Sequence, residues 1–201
     1  MYTIKPLKYN YNYFEPYISS RTIDIHYNKH YKKYLDKLNN LLIKNNYDFK
    51  YSKEELVNHI DIFPLSDRDD ILFNLGGVIN HELYFENLGY DNKPNGLLEQ
   101  KINKQYGSFF KFKEEFIKVA NELVGSGYTF LIINKNKDLE IINVSNQDTP
   151  YSYGVIPIMN IDLWEHAYYL DYQNDKNKYI ENFFSIVDFG NISKKYEKEI
   201  Q

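Results

Sequence analysis

The stretch Asn160-Ile161-Asp162-Leu163-Trp164-Glu165-His166-Ala167-Tyr168-Tyr169-Leu170-Asp171-Tyr172 sets a carboxylate and an imidazole, Asp162 and His166, four residues apart around the only Trp of the chain. In a helix that spacing puts both side chains on one face. In a strand running into a turn they can still converge on one ion. The residues leave both readings open. An Asp/His pair alone is often an ordinary helix-surface contact, so its meaning depends on what the rest of the chain supplies. Five His and no Cys are available. Any metal must therefore be held by nitrogen and oxygen, and disulfides and thiol chemistry are excluded.

The totals bound the class. A chain of 201 residues makes one large domain or two small, tightly joined lobes. An apolar fraction of 43% and a charged fraction of 26% are those of a soluble globular protein. A net charge of −4 argues against a nucleic-acid partner, which calls for a basic excess. No apolar run is long enough to span a membrane. The start, Met1 to Pro6, lacks the apolar core of a secretory signal. A cytoplasmic location with neither nucleic acid nor membrane as partner is expected.

Outward from the opening stretch, the chain divides by period. Residues 1 to 18 read as an extended aromatic arm, since Pro6 and Pro16 disfavour helix. Ser19 or Ser20 offers an N-cap to a helix from Thr22 to about Lys44. Its stripe is Ile23, His26, His30, Tyr34, Leu38 and Leu41 or Leu42. Two His and a Tyr at one-turn intervals on an otherwise apolar stripe point to a shared polar site. Residues 45 to 66 are polar and irregular, with a short helix near Glu54 to His59, and His59 reads as a surface residue. A second helix covers about Asp67 to Leu88, with Leu72, Val78, His81, Phe85 and Leu88 on one side. Gly76-Gly77 lies inside it at a cost of about 1 kcal/mol per glycine against Ala, so something should approach closely there.

Gly89 to Gly96 is loop by composition. Ser108 caps a third helix to about Val124 with Phe109, Phe112, Phe116, Ala120 and Leu123 buried, and Gly125 stops it. Tyr128–Ile133, Leu139–Val144 and Val155–Ile161 then read as strands. Helices near Tyr168–Tyr172 and Lys176–Val187 complete an α+β chain. It comprises an N-terminal α-helical lobe built on a long hairpin, residues 1–89, and a C-terminal α/β lobe with a three-stranded antiparallel sheet, residues 90–201.

Several of these segments resemble one family. Asp162, Trp164, Glu165, His166, Ala167, Tyr168 and Tyr169 match the Asp-x-Trp-Glu-His-Ala-Tyr-Tyr signature of the iron/manganese superoxide dismutases. The run His26-x3-His30-x3-Tyr34 resembles their N-terminal helix. Gly76-Gly77-Val78-Ile79-Asn80-His81 resembles their second ligand motif, and Ser145-Asn146-Gln147-Asp148 an Asn-Gln-Asp segment before the last strand. The four motifs stand in the family's order along essentially the whole chain.

The resemblance implies a ligand set of His26, His81, Asp162 and His166 holding a mononuclear Mn, with Fe as the other candidate. Such a nitrogen and oxygen set suits these metals. It implies superoxide as substrate, dismuted by cycling the metal between its +3 and +2 states. It also gives Tyr34, His30 and Gln147 catalytic roles. Gly77 stands where iron-type members carry Gln, so Gly77 with Gln147 resembles the manganese type. Glu165, His30 and Tyr169 resemble dimer-interface residues, implying a homodimer or a tetramer built on it. Lys29 offers a cation for an anionic substrate.

There are departures. Tyr17 replaces a His, Tyr128 and Phe130 stand at Trp positions, Phe184 lies near another, and Lys176 replaces an Arg. Two other readings compete. A non-haem iron oxygenase would need only two His and a carboxylate, leaving one of the three His over. A non-catalytic metal-binding or structural relative would be marked by loss of a ligand, Tyr34 or Gln147, and all are present.

Overall fold

The computed structural model describes residues 1–201. The N-terminal arm is extended but turns through a short 3-10 segment, Tyr11–Phe14, that buries Phe14. Ser19 then caps α1 (Ser20–Ile25), its side chain accepting from the Thr22 N–H at 3.2 Å. The backbone next widens into a π-helical turn, His26–Tyr31, before continuing as α2 (Lys32–Lys44).

That turn changes the expected stripe. A π segment holds one residue more than an α-helix does over the same span, so side chains beyond it rotate about the axis. The buried line becomes Ile23, Tyr27, Tyr31, Leu35, Leu38 and Leu42, while His30 and Tyr34 fall half-buried at its edge.

A short α3 (Lys53–Val57) follows, opened by a capping box between Ser52 and Glu55. His59 is exposed and stacks on Tyr51. Helix α4 (Leu65–Glu86) runs back against α2, completing the hairpin. From Asn74 to Phe85 it is buried on every side, because it lies between α2 and the C-terminal sheet. Its amphipathic stripe is therefore less sharp than its sequence suggested, and Leu72 is only half-buried while Ile71 is buried.

The C-terminal half holds two helices the sequence reading lacked. Helix α5 (Gly96–Tyr106) buries Leu98 and Ile102 and ends at Gly107, whose φ of 84° is the left-handed C-terminal stop. The expected helix after Ser108 is α6 (Phe109–Glu122), with Phe112, Phe116 and Ala120 inward. Three antiparallel strands follow, β1 (Gly127–Ile133), β2 (Leu139–Ser145) and β3 (Ile156–Asp162), in the spatial order β2-β1-β3. Central β1 is buried throughout, and its register sets Tyr128 opposite Val144 on one side and Asp162 on the other.

Helices α7 (Glu165–Tyr172), α8 (Lys176–Phe183) and α9 (Phe189–Ile200) close the lobe. Helix α9 is the second one missed. It is capped by Asp188 and buries Phe189, Ile192 and Tyr196. One apolar core joins Leu38 and Leu75 of the hairpin to Phe112, Phe183 and Phe189 of the second lobe.

Candidate metal centre

Four side chains from four elements meet where the hairpin faces the sheet. His26 opens the π turn, His81 stands mid-α4, Asp162 ends β3 and His166 lies in the first turn of α7. Of the two readings open from the Asp162/His166 spacing, the strand-into-turn arrangement is the one the chain adopts. The Nε2 atoms of His26, His81 and His166 stand 3.1, 3.8 and 3.5 Å from Asp162 Oδ2. The four ligand-capable atoms lie within 4.8 Å of one another.

Local bonds aim these groups. The His81 Nδ1–H donates to the Gly77 carbonyl one helical turn back at 2.6 Å, which leaves Nε2 as the lone-pair nitrogen facing Asp162. The Trp164 backbone N–H donates to Asp162 Oδ1 at 2.8 Å, so Oδ2 is the oxygen turned to the imidazoles. His81 Nε2 and His166 Nε2 are buried with no hydrogen-bond partner. Buried polar atoms are normally paired, and lone pairs converging beside a carboxylate are the arrangement that a cation satisfies. Three imidazoles and one carboxylate fit Mn or Fe.

The electrostatics agree. Burial pushes His26 below its usual range despite the opposing Asp162 charge, and pushes His81 well below it, aided by His26. Both rings are thus kept neutral, the state that binds a metal. Burial would raise Asp162, but the imidazoles of His166 and His26 facing it overcome this and hold the carboxyl well below the usual range.

Beside the cluster runs a chain of hydrogen bonds. Tyr128 Oη donates to Gln147 Oε1 at 3.0 Å, and Gln147 Nε2 donates to Tyr34 Oη at 3.1 Å. Gln147 is fully buried. It follows Asn146, which takes a left-handed φ of 53° and whose carbonyl accepts from Trp164 Nε1 at 3.0 Å. The glycine pair makes room for this chain. A Cβ at Gly76 would sit 1.9 Å from the Gln147 carbonyl oxygen, and one at Gly77 would sit 2.6 Å from the Tyr34 ring. The close approach expected from sequence is thus a double one.

Tyr34 and His30 line a cavity of about 130 Å³ with Lys33, Lys37 and Phe73. The His30 ring stacks on His166 at 3.9 Å, and its pKa is pushed down to about 4 by burial and then by His166 and His26. Lys29 is exposed outside that lining. Sequence reasoning missed Lys33 and Lys37, although each stands three residues beyond His30 or Tyr34 and could have been placed on the same helix face. It also treated Tyr128 only as a departure, whereas the hydroxyl is a member of the chain.

Glu165 and Tyr169 are exposed on α7 beside His166. The other departures are structural: Lys176 Nζ donates to the Leu123 carbonyl at 2.8 Å, the Tyr17 carbonyl accepts from Tyr172 Oη at 2.6 Å, Phe184 packs edge-on against Phe116, and Phe130 lies against Tyr128.

Comparison with known proteins places this geometry in context. Residues 1–89 match the family model described as iron/manganese superoxide dismutases, alpha-hairpin domain. Residues 94–195 match that described as iron/manganese superoxide dismutases, C-terminal domain. A protein of Listeria monocytogenes named superoxide dismutase [Mn] is 36% identical over 198 residues, covering 98% of each chain.

Proposed function

Because the chain belongs to the iron/manganese superoxide dismutase family, we propose that its metal is manganese, held by His26, His81, Asp162 and His166, with Tyr34, His30 and Gln147 serving the substrate side. The chain is a superoxide dismutase with an Mn or Fe centre. One superoxide gives up an electron and leaves as dioxygen. A second takes that electron with two protons and leaves as hydrogen peroxide. Mn or Fe held by His26, His81, Asp162 and His166 would supply this chemistry through its +3 and +2 states. The observation that carries the ligand assignment is the set of four ligand-capable atoms within 4.8 Å.

The protein's own residues do the rest. The neutral imidazoles of His26 and His81 offer lone pairs without first releasing a proton, and Asp162 brings the one negative charge that offsets the cation. Tyr34, on the cavity wall, is placed to hand a proton to an anion entering there, with the neutral His30 ring beside it. Burial holds the Tyr34 hydroxyl above its usual range, with the Gln147 bond opposing, so it stays protonated at neutral pH. Gln147 is aimed by two hydrogen bonds, from Tyr128 and to Tyr34.

Manganese is favoured over iron by two observations. The relative named superoxide dismutase [Mn] aligns over nearly the full length. Position 77 has no space for a side chain against Tyr34, and the buried amide beside the site comes from Gln147 instead. The two lobes, residues 1–89 and 90–201, would each donate two ligands, so the metal ties them together. Exposed Glu165 and Tyr169, with half-buried His30, favour a homodimer, or a tetramer built on it, whose contact lies beside His166. No helix is long and apolar enough to cross a membrane.

The test is superoxide dismutation per bound metal, on apoprotein reloaded separately with Mn and with Fe. Activity with Mn alone is expected. Comparable activity with both would overturn the manganese assignment, and inactivity with both at full occupancy would overturn the catalytic reading of the four-residue centre.

A further inference from the structure

We propose that Tyr128 is a positioning residue whose hydroxyl decides which end of the Gln147 amide faces Tyr34, and so fixes the direction of the whole hydrogen-bond chain. The inference rests on the placement of Gln147 in the site given above. A primary amide has a donor end and an acceptor end, and a tyrosine hydroxyl accepts either. Tyr34 alone therefore cannot orient Gln147. Something rigid and of fixed polarity has to.

The polarity starts at His81. Its Nδ1 lies 2.6 Å from the Gly77 carbonyl, an acceptor only, so that nitrogen carries the hydrogen. Tyr128 Oη stands 3.4 Å from the same nitrogen. An oxygen facing an N–H must turn a lone pair to it, which commits the Tyr128 hydrogen to its other neighbour, Gln147 Oε1, at 3.0 Å. Once Oε1 is engaged, Nε2 is the end left for Tyr34, and it donates at 3.1 Å. Tyr34 Oη is then an acceptor from Gln147 and keeps its own hydrogen for the cavity it lines with His30, Lys33 and Lys37. Each group passes its hydrogen one step further, from Tyr128 toward the entering anion.

Rigidity comes from the sheet. Tyr128 is fully buried on the central strand and pairs in register with Asp162 and Val144. The residue that orients Gln147 is thereby held on the strand adjoining that of Asp162. Were the amide reversed, two carbonyl-type lone pairs would face Tyr34, whose hydrogen would be drawn inward and away from substrate.

The experiment compares Tyr128→Phe, Tyr128→Trp and Gln147→Leu with the unmodified metal-loaded enzyme, measuring metal content, kcat, KM and the midpoint potential of the bound metal. Tyr128→Phe should keep its metal, lose about tenfold in kcat with KM little changed, and move the potential in the same direction as Gln147→Leu. Tyr128→Trp, whose indole N–H can donate in place of the hydroxyl, should recover much of both. If Tyr128→Phe matches the unmodified enzyme while Gln147→Leu is slow, Tyr128 is not the positioning residue and Gln147 keeps its role. If Gln147→Leu is also unchanged, the placement of Gln147 falls and this inference with it. Equal losses in the Phe and Trp variants would assign the effect to packing and overturn the inference.

Discussion

The ligand cluster and the Tyr34–Gln147–Tyr128 chain lie side by side, yet they are built on opposite terms. Within the chain every link is a hydrogen bond of 3.0 or 3.1 Å between protein groups. Within the cluster, His81 Nε2 and His166 Nε2 are buried without a partner, and three imidazoles crowd one carboxylate. The chain is complete in the polypeptide alone. The cluster is complete only around a cation. The protein thus separates what must hold a changing charge from what must stay still while it changes.

The most direct way to break the comparison is to remove the cluster's only anion. Asp162→Ala should abolish metal retention, and His81→Ala should do the same, both read as metal content after dialysis. Thermal unfolding should follow. A metal at a thousand times its dissociation constant stabilises the fold by about 4 kcal/mol, and both variants should lose that increment along with the metal-free unmodified protein. Full occupancy and an unchanged rate in Asp162→Ala would remove it from the ligand set.

A smaller perturbation sharpens the contrast from the other side. Gly77→Ala inserts a methyl group 2.6 Å from the Tyr34 ring, with His81 one turn away and its backbone bond to the Gly77 carbonyl intact. Metal should stay bound, while kcat falls about tenfold as Tyr34 is displaced from Gln147. Overpacking of this kind costs about 1–3 kcal/mol, so the melting temperature should drop as well. Loss of metal in Gly77→Ala would mean that chain and cluster are not separable.

The same contrast marks what the sequence disclosed. Asp162 and His166 were visible as a pair, and residue order carried the resemblance to His26, His81 and Gln147, because ligand chemistry demands particular residue types. Gly76-Gly77 was readable as a close approach because glycine inside a helix has a cost that needs a reason. Three strands, a cap at Ser19 or Ser20 and the Ser108 cap followed from period and side-chain chemistry.

What stayed hidden was geometry that no residue type announces. The π turn at His26–Tyr31 adds one residue to a helix whose composition is unremarkable, and it moved the core line from His30 and Tyr34 to Tyr27, Tyr31 and Leu35. Helix α5 buries only Leu98 and Ile102 among Lys, Gln, Asn and Glu, so tertiary packing rather than a strong stripe makes it helical. Helix α9, by contrast, carries a clear stripe of Phe189, Ile192 and Tyr196 that sequence reasoning overlooked. The polar role of Tyr128 depended on register, which sets it between Val144 and Asp162 with its hydroxyl 3.0 Å from Gln147.

The smallest expected effect concerns the cavity mouth, where the chain meets solvent. The protein carries a net charge of −4 and must admit an anion, so its overall field opposes the encounter. Lys33 and Lys37 are exposed at the edge of the cavity that Tyr34 and His30 line, and they supply a local field of the right sign. Lys33→Gln with Lys37→Gln should lower kcat/KM by about two- to fivefold at low salt through a slower encounter. Charges acting through solvent are screened over about 10 Å at 0.1 M salt. The unmodified and doubly substituted enzymes should therefore converge as salt rises, with kcat unchanged. A deficit that persists at high salt would mean that the lysines act within the hydrogen-bond chain itself, and the boundary between steering and chemistry would move inward to Tyr34.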